Sequence, residues 1–452
     1  MKIYFIGIGG AGISALALMC KEKGYEVSGS DMKLSSMTDI LKENGIKVFD
    51  QEIPENLTAD LELIIYTAGI VGSGQALLEK AKEIGIQCEK REYLINQLVK
   101  DYISIGVAGT HGKTTTTSLL THCLIKLDQD PSYLIGGILQ TTDKNANLGK
   151  GKYFVWEADE FSNAFHGVHL NHAILNNVEY DHPDFFKTEQ DYFNSFKFFL
   201  ENNISEKIFI NGDDKNIEAV ISSSEKIKEE RLIKFGSGSE NNYVLDKEEI
   251  VYHGSEMFFT ISNNDKNYPI ETKLNGTHNL YNISAVFSIL TELGFQANQI
   301  VKAIKSFEGS GRRFEQVYEN EHVLVISDYA HHPTAIKTTI DGARSKGLPI
   351  VAVFEPHQYA RITTLYEDFC NAFNQVDEVL ILPIFVSRES APPEDFVRQF
   401  VKDIKNPNAS FIQNNQELIN LIKNYKGEKK LFLCMSAGSL DQDLKKQLHD
   451  DE

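Results

Sequence analysis

Ser104-Ile-Gly-Val-Ala-Gly-Thr-His-Gly-Lys-Thr-Thr-Thr-Thr-Ser118 runs from an apolar strand through a glycine turn into the start of a helix. Backbone N–H groups in such a turn and at a helix N-terminus converge on one point, where they favour an anion. Lys113 adds a positive charge for the outer phosphates of a nucleotide, and Thr114 or Thr115 offers a hydroxyl to Mg²⁺. Gly109 supplies the turn, although valine replaces the first glycine of the common pattern. The stretch predicts a phosphate-binding loop of irregular form; the alternative is an ordinary strand–helix turn.

The composition indicates a globular chain of several domains. The chain has 452 residues, of which 42% are hydrophobic and 24% are charged. We expect about three domains, at ~150 residues each. There are 45 Lys and Arg residues against 64 Asp and Glu residues, which gives a formal net charge of −19 at pH 7. This balance argues against a nucleic-acid partner, because proteins that bind nucleic acid normally carry a basic stripe.

Segments that would direct the chain to a membrane or out of the cell are not evident in the sequence. The chain enters a strand-like segment directly at its start, without a signal-peptide pattern, and its apolar runs are too short to span a bilayer. The five cysteines are scattered and odd in number, so they predict neither a disulfide framework nor a zinc site. We therefore expect a cytoplasmic enzyme without a membrane partner, acting as a monomer or homodimer.

A second glycine turn, Gly7-Ile-Gly-Gly-Ala-Gly12, lies between the first predicted strand and the first predicted helix. Its G-x-G-x-x-G form, with Asp31 at the end of the next strand, is typical of a dinucleotide-binding fingerprint. NAD, FAD and a UDP-sugar all satisfy the pattern, because each can place a phosphate at the helix N-terminus. Close packing of strand and helix without a ligand fits it too. The turn alone leaves the ligand open.

Strands and helices alternate along the chain, which predicts parallel sheets and an α/β fold class. We expect a Rossmann-like N-terminal domain at 1–101. A central domain like that of phosphate-loop ATPases, with a parallel sheet and a small β-subregion, is expected at 102–310. A Rossmann-like C-terminal domain is expected at 311–452. Two glycines stand beside two arginines in Phe307-Glu-Gly-Ser-Gly-Arg-Arg-Phe314, which we interpret as a hinge before the third domain.

Two apolar strands of the predicted central domain end in residues that could bind a metal. Glu157 closes one strand, and Asp181 and His182 follow the other. Ligands of parallel α/β sheets lie at the carboxyl ends of the strands, so Glu157 and His182 could reach a metal held at the phosphate loop. Mg²⁺ prefers oxygen ligands, and a histidine ligand would be unusual. The alternatives are a solvated acid and a packing histidine.

Two further groups of side chains could bind a substrate. Asn279 and Asn282 are three residues apart at a predicted helix start, so both amides can face one ligand. Such amides suit adenine or ribose, although both could be helix caps. In the third predicted domain His331, His357 and Arg361 follow strand ends. The planar guanidinium of Arg361 could bind a carboxylate with two parallel hydrogen bonds.

Taken together and in order, seven motifs resemble those of the Mur ligase family of bacterial cell-wall synthesis. They are Gly109-Thr-His-Gly-Lys-Thr-Thr115, Glu157-Ala-Asp-Glu160, Asn177-Val-Glu-Tyr-Asp-His182, His278-Asn-Leu-Tyr-Asn282, Gly311-Arg-Arg-Phe314, Asp328-Tyr-Ala-His-His-Pro333 and Pro356-His-Gln-Tyr-Ala-Arg361. The resemblance covers nearly the whole chain. It implies ATP-dependent formation of an amide bond between UDP-N-acetylmuramate and L-alanine through an acyl phosphate, with ATP and Mg²⁺ as cofactors.

The resemblance also implies roles for individual residues. ATP would be bound by Gly109, Thr110, His111, Gly112, Lys113, Thr114, Thr115, Asn279, Asn282, Arg313 and Asp328. Mg²⁺ would be held by Thr114, Glu157 and His182, and the catalytic residues would be Lys113, Glu157 and His182. The UDP-sugar would lie against Gly9, Gly10, Ala11, Gly12, Ser30, Asp31 and Thr67. The amino-acid substrate would be bound by His331, His357 and Arg361.

Three other functions remain open at this point. A sibling ligase that attaches a recycled murein tripeptide to UDP-N-acetylmuramate has a related architecture but lacks the His-x-Tyr-x-Arg pattern. An NAD-dependent oxidoreductase would explain the first glycine turn and leave the phosphate loop unexplained. A non-catalytic nucleotide-binding protein would bind ATP and release no phosphate in the presence of the two substrates.

Overall fold

The structure of the protein is a computed structural model. It describes residues 1–32, 34–67, 70, 72–253, 256–274, 276–385, 392–393 and 395–449. Three separate sheets, each flanked by helices, confirm the predicted α/β fold class with three domains. The exact boundaries at 101 and 310 stay predictions. Within the described ranges, none of the helices combines the length and the apolar character that crossing a membrane requires.

The N-terminal domain is built on a five-stranded parallel sheet. Its elements are β1 (Lys2–Ile6), α1 (Ala11–Glu22), β2 (Glu26–Ser30), α2 (Ser36–Glu43), β3 (Lys47–Phe49), β4 (Leu63–Tyr66), α3 (Ser73–Glu83), β5 (Gln87–Lys90) and α4 (Arg91–Val99). The strand order is β3-β2-β1-β4-β5. After Lys2, β1 consists of hydrophobic residues and is buried from Ile3 onward, as expected for a central parallel strand. Gly7, with φ +72°, turns the chain from β1 toward α1, and its N–H donates to the Ser30 carbonyl.

The central domain contains an eleven-stranded sheet. Its elements are β6 (Ile103–Ala108), α5 (Lys113–Lys126), β7 (Ser132–Leu139), β8 (Lys144–Asn147), β9 (Tyr153–Glu157), β10 (His172–Leu175), α6 (Glu189–Asn202), β11 (Ile208–Asn211), α7 (Lys215–Ser222), β12 (Leu232–Gly236), β13 (Tyr243–Leu245), β14 (Val251–His253), β15 (Glu256–Asn263), β16 (Lys266–Thr272), α8 (Thr277–Glu292) and α9 (Ala297–Lys305). The order β14-β15-β13-β12-β11-β10-β6-β9-β7-β8, with β16 beside β15, places β6 between β9 and β10. The carboxyl ends of these three parallel strands therefore lie together.

The C-terminal domain contains a six-stranded sheet in which only the β17–β18 pair is antiparallel among the described pairings. Its elements are β17 (Glu315–Glu319), β18 (Val323–Asp328), α10 (Pro333–Arg344), β19 (Ile350–Glu355), α11 (Tyr359–Thr364), α12 (Tyr366–Cys370), β20 (Glu378–Ile381), α13 (Phe396–Asp403), β21 (Ala409–Phe411), α14 (Asn415–Asn424), β22 (Lys430–Ser436) and α15 (Leu440–Leu448). The order is β17-β18-β22-β19-β20-β21. Here too the polar residues that follow β18 and β19 lie at one edge of the sheet.

Apolar packing differs between the two domain interfaces. One buried cluster contains side chains of α1, such as Leu16 and Met19, together with Leu134 and Phe154 of the central domain. The C-terminal sheet has its own buried clusters. The linker before that sheet is anchored to β7, because the Gly311 N–H donates to the Ile138 carbonyl at 3.1 Å. The first two domains thus share a core, and the contacts of the third domain that bear on the site are polar.

Candidate active site

The phosphate loop joins β6 to α5 through two glycines in the left-handed region. Gly109 has φ +133° and Gly112 has φ +79°. A Cβ on Gly112 would lie 2.6 Å from Oδ1 of Asn282, so the loop packs directly against that amide. Thr110 lies inside the loop, where its hydroxyl donates to the Glu179 carbonyl at 2.8 Å. The loop therefore has the backbone freedom and the helix N-terminus that an anion site requires.

Lys113 begins α5 and turns back over the loop. Its ammonium donates to the carbonyls of Gly109 at 2.6 Å and Thr110 at 3.2 Å, and lies 2.8 Å from Oε2 of Glu160. Glu160 is only 1% exposed. Burial opposes the charge of Lys113, but the carboxylates of Glu160 and Asp159 raise the pKa of the lysine above its ordinary value. The lysine is therefore charged, and Glu160 is a partner to which the sequence analysis gave no role.

Thr114 and Glu157 lie side by side at the adjacent ends of α5 and β9. The Thr114 hydroxyl donates to Oε1 of Glu157 at 2.9 Å, and the Gly136 N–H donates to Oε2 at 2.7 Å. Arg313 reaches the same place from the C-terminal domain, because its Nη2 donates to the Thr114 hydroxyl at 3.0 Å. Thr115 is half-buried in the first turn of α5. The Thr114 hydroxyl thus contacts both the Glu157 carboxylate and Arg313 of the C-terminal domain.

His182 lies on the far side of Glu160. Its Nε2 is 3.6 Å from Oε1 of Glu160, and its backbone has φ +55°. Burial disfavours its charge, but Asp181 and Glu160 raise the pKa of the imidazole above its ordinary value. The Nδ1 atom is buried and has no hydrogen-bond partner among the described residues. His182 therefore lies beside the carboxylate that holds Lys113 and has one unused nitrogen.

The oxygen atoms at this edge fit the preferences of Mg²⁺. Thr114 and Glu157 offer a hydroxyl and a carboxylate oxygen 2.9 Å apart, which is the ligand chemistry that Mg²⁺ favours. His182 fits less well, since it offers a nitrogen. The residues present therefore suit a magnesium ion at Thr114 and Glu157, and a more distant role for His182.

The two asparagines of α8 form a pair below the loop. The amide Nδ2 of Asn282 donates to Oδ1 of Asn279 at 2.9 Å, and both side chains are buried. Because Asn282 contacts Gly112, the pair is close to any phosphate that the loop binds. Neither asparagine is the N-cap of α8, a position that Gly276 occupies. The capping alternative is therefore wrong for both residues.

Asp328 ends β18 and organises the linker that carries Arg313. Its two oxygens accept hydrogen bonds from the N–H groups of Phe314 and Ala330, both at 2.8 Å. The guanidinium of Arg313 stacks on the ring of Tyr329 at 4.9 Å. Burial raises the pKa of Asp328, with Arg313 acting in the opposite direction. The aspartate thus ties the backbone directly after the arginine to the loop that follows β18.

Arg361 is 1% exposed, and it makes an ion pair between domains. Its Nε donates to Oδ1 of Asp181 at 2.8 Å, and its Nη2 donates to Oδ2 at 3.4 Å. Nη1 lies 3.2 Å from Nδ1 of His357, whose ring is 5.9 Å from that of His331. Burial and the charge of Arg361 hold the pKa of His331 well below its ordinary value. The structure thus brings the three predicted acceptor residues together, and the two-pronged carboxylate partner of Arg361 is Asp181.

His111, which the sequence places in the phosphate loop, pairs with a carboxylate beside the C-terminal domain. Its Nε2 lies 2.6 Å from Oε2 of Glu179, a residue of the same domain that approaches the C-terminal domain. Thr334 of α10 donates to the other oxygen of Glu179 at 2.6 Å. The side chain of His111 therefore contacts the domain interface.

The glycine turn of the N-terminal domain opens into a cavity of about 730 Å³. Gly10, Gly12 and Thr67 line it, and Asp159 and Phe161 line it from the central domain. The cavity thus lies between two domains and reaches the acidic segment that includes Asp159. Its size and its glycine lining suit a phosphorylated ligand.

Asp31 and Ser30 lie behind that turn. Oδ2 of Asp31 accepts a hydrogen bond from the Gly9 N–H at 2.9 Å. The Ser30 hydroxyl is buried and has no hydrogen-bond partner among the described residues. The backbone of α1 begins at Ala11, directly after this turn. Ser30, which ends β2, and Asp31 are therefore hydrogen-bonded to the glycine turn.

Arg91 is a cavity residue to which the sequence analysis gave no role. A Cβ on Gly12 would lie 2.8 Å from its Nη1. Its Nη2 lies 3.3 Å from Oδ2 of Asp159. Burial lowers the pKa of Arg91, but the charges of Asp159 and Glu92 outweigh this effect and raise the pKa above its ordinary value. No motif in the sequence pointed to this residue, because it stands at the start of an unremarkable helix.

Comparison with known proteins assigns each of the three domains to a Mur ligase domain profile. Residues 2–103 match the profile of the Mur ligase family catalytic domain, 107–290 that of the Mur ligase middle domain, and 312–438 that of the Mur ligase glutamate ligase domain. The UDP-N-acetylmuramate–L-alanine ligase of Clostridium kluyveri is 34% identical over 449 residues, which is 98% of this chain and 96% of the relative. That of Acetivibrio thermocellus is 34% identical over 448 residues, covering 97% and 93%.

Solved structures show the same architecture. The UDP-N-acetylmuramate–alanine ligase of Thermotoga maritima superposes with a TM-score of 0.82 at 25% identity, covering 100% of both chains. A murein peptide ligase of Psychrobacter arcticus gives a TM-score of 0.74 at 24% identity, covering 100% of this chain and 99% of that one. Three domain profiles in order and relatives aligned along nearly the whole chain lead to one conclusion: this chain belongs to the Mur ligase family.

Proposed function

We propose that this chain joins L-alanine to UDP-N-acetylmuramate, with hydrolysis of ATP to ADP and phosphate, in the synthesis of peptidoglycan precursors. The observation that carries the proposal is the 34% identity, over 98% of the chain, to a relative named for this reaction. The tripeptide ligase is less favoured, because both relatives aligned along nearly the whole chain are named for the addition of L-alanine. An NAD-dependent oxidoreductase and a non-catalytic binding protein do not account for the family match.

ATP binds at the phosphate loop in this proposal. Lys113 neutralises the transferred phosphate. Thr114 and Glu157 would hold a Mg²⁺ ion, which would stabilise negative charge there. Support comes from the adjacent oxygens of Thr114 and Glu157 and from Arg313, which reaches the Thr114 hydroxyl. The asparagine pair of α8 faces the nucleoside. Asp328 acts through the backbone that positions Arg313, in addition to any contact with the ribose.

UDP-N-acetylmuramate occupies the cavity between the first two domains. Its diphosphate lies against the glycine turn at Gly9, Gly10 and Gly12, where the start of α1 favours an anion. Arg91 provides a charged partner there, because its guanidinium lies over Gly12. Asp159 and Phe161 line the same cavity, so the sugar end extends toward the loop that binds ATP.

The bond changes balance with three substrates: ATP, UDP-N-acetylmuramate and alanine. An oxygen of the muramate carboxylate attacks the γ-phosphorus of ATP, the bond to the bridging oxygen breaks, and ADP leaves. The amine of alanine then attacks the acyl carbon, and inorganic phosphate leaves as the amide forms. The amine must lose a proton. Water takes this proton, or the amine enters as the free base, because burial and the charge of Arg361 hold the pKa of His331 well below its ordinary value and make it a poor proton acceptor.

The acceptor binds beside Arg361 and His357. Because Arg361 already holds Asp181, the carboxylate of alanine either shares the guanidinium or displaces that aspartate. Exclusion of water protects the acyl phosphate, and the buried Arg361–Asp181 pair supports a closed arrangement of the two domains. A cytoplasmic location and a monomeric or homodimeric state stay predictions of the sequence.

The reaction is tested by phosphate release from ATP, Mg²⁺ and UDP-N-acetylmuramate with alanine, glycine, serine or murein tripeptide as acceptor. We expect alanine to give the highest kcat/KM. Lys113→Ala is expected to lower turnover at least about a hundredfold, because a preorganised charge at the transferred group is lost. Lys126→Ala, at the other end of α5, is the matched control and should stay near normal. Preference for the tripeptide, or normal turnover by Lys113→Ala, would contradict the proposal.

A further inference from the structure

Two histidines and a glutamate form a compact group where the phosphate loop meets the C-terminal domain. We call His111, Glu179 and His332 the His2Glu cluster. One ligand atom from each residue lies within 4.8 Å of the other two. Oε2 of Glu179 is 2.6 Å from Nε2 of His111 and 3.9 Å from Nδ1 of His332. The two imidazole rings are 4.9 Å apart. The cluster draws on two domains, since His332 caps α10.

The members of the cluster are held in place by neighbours. The backbone N–H of His111 donates to Oδ1 of Asn177 at 2.8 Å, and Nδ2 of Asn177 donates to the His111 carbonyl at 3.0 Å. Thr334 donates to Oε1 of Glu179 at 2.6 Å, which leaves Oε2 turned to the histidines. Outer partners of this kind orient the ligands in metal sites.

The burial of the cluster also suits a metal. His332 is buried, and the side chain of Glu179 is 38% exposed. Nε2 of His332 has no hydrogen-bond partner among the described residues. Its Nδ1 accepts the Thr334 N–H at 3.4 Å, so one long hydrogen bond holds the ring.

We propose that the His2Glu cluster binds one divalent transition-metal ion, of the Zn²⁺ or Co²⁺ type, between the central and C-terminal domains. Two imidazoles and a carboxylate suit such ions, whereas Mg²⁺ prefers oxygen ligands. Bonds of about 2.0–2.2 Å would place the ligand atoms about 3 to 3.5 Å apart, so His332 moves inward from 3.9 Å, and His111 and Glu179, now 2.6 Å apart, separate by about 0.5 to 1 Å. The ion replaces the proton between His111 and Glu179 and leaves a fourth position for water. The site is separate from the oxygens of Thr114 and Glu157.

The test measures metal binding to the full chain, stripped of metal and free of nucleotide and sugar. Co²⁺ is added in the presence of excess Mg²⁺, and ligand-field absorption in the visible range reports its coordination. We expect one Co²⁺ per chain, displaced by one Zn²⁺. Glu157→Gln removes the carboxylate of the magnesium site and should leave the Co²⁺ titration unchanged. No turnover is measured, so the outcome is independent of the proposed ligase function.

His332→Asn deletes one ligand and keeps a side chain that can cap α10. We expect Co²⁺ binding at least tenfold weaker than in the unaltered chain. His169→Asn, at an exposed histidine outside the cluster, is the matched control and should bind Co²⁺ normally. Glu179→Gln is the second variant, with the same expected loss, should His332→Asn fail to fold. Absence of a stoichiometric ion, or normal affinity in a folded cluster variant, would overturn the proposal.

Discussion

Individual buried histidines of this chain differ in charge because their neighbours differ. His182 lies between two carboxylates, which raise its pKa, whereas His331 faces Arg361, and burial and that charge lower its pKa. His122 is a third case, far from the acidic edge. Its Nδ1 lies 2.7 Å from the Thr141 hydroxyl, and its Nε2 lies 2.9 Å from the Ser306 hydroxyl. The same residue type thus has a raised pKa beside carboxylates, a lowered pKa beside an arginine, or hydrogen bonds that join two segments, as its surroundings dictate.

His122 predicts a pH dependence of stability. Burial, with the charge of Lys126, lowers its pKa to about 4, and Glu308 acts in the opposite direction. His122 takes up a proton near pH 6.5 in the unfolded chain and only near pH 4 in the folded chain. Its contribution to the free energy of unfolding is therefore complete above about pH 6.5. The free energy of unfolding falls by at most about 3 kcal/mol as the pH is lowered toward 4. We expect His122→Gln to flatten this fall.

The measurement for His122 is urea unfolding at several pH values between about 4.5 and 7, which lie between the pKa of the folded chain and that of the unfolded chain or just above it. The single tryptophan, Trp156, is buried in β9 of the same domain and reports its unfolding by fluorescence. His169→Gln, at an exposed histidine, is the control and should show the pH dependence of the unaltered chain. An equally steep fall in His122→Gln would show that other groups cause it.

At the scale of elements, the phosphate loop depends on a close approach of backbone to α8. Gly112 is the N-cap of α5 with φ +79°, and a Cβ there would lie 2.6 Å from Oδ1 of Asn282. Gly112→Ala therefore strains the turn and displaces the asparagine pair. We expect ATP affinity to fall at least about tenfold, equivalent to about 1.4 kcal/mol, as measured by titration calorimetry.

Gly24→Ala is the matched control for the loop. Gly24 has a similar φ of +87°, but a Cβ there would meet nothing within 4 Å. The two substitutions share a cost of roughly 1 kcal/mol for a left-handed alanine, and only Gly112→Ala adds the clash. Equal ATP affinity in the two variants would mean that the contact with Asn282 has no part in nucleotide binding.

The elements show which parts of the site could be predicted from sequence. Strand ends, glycine turns and helix starts follow from local patterns, so the edge that carries Thr114, Glu157 and His182 was predictable. The order of strands brings β6 between β9 and β10, and no local pattern encodes that order. Partners across domains were not predictable either. The pairing of Arg361 with Asp181 joins residues 180 positions apart, and only the packed structure brings them together.

For the whole molecule, the position of the C-terminal domain depends on contacts that are polar and buried. Arg361 and Asp181 are both nearly inaccessible, and burial opposes the charge of Asp181 while Arg361 and nearby histidines hold its pKa well below its ordinary value. A buried ion pair adds little over an apolar pair, but loss of one partner leaves an unpaired buried charge. The two charges therefore make the closed arrangement specific, because an open arrangement would separate them and allow water to reach both.

Arg361→Gln and Asp181→Asn should each open the molecule. The unpaired charge left behind costs about 3–5 kcal/mol in the closed form and much less when water reaches it, so opening becomes favourable. Small-angle X-ray scattering should show a larger radius of gyration for each single variant. The double variant, in which neither charge remains, should return toward the closed value. Lys445→Gln removes an ion pair with Glu315 inside the third domain and should leave the scattering unchanged. If both single variants scatter like the unaltered chain, other contacts such as those of Gly311 with Ile138 and Arg313 with Thr114 hold the closed arrangement without this pair.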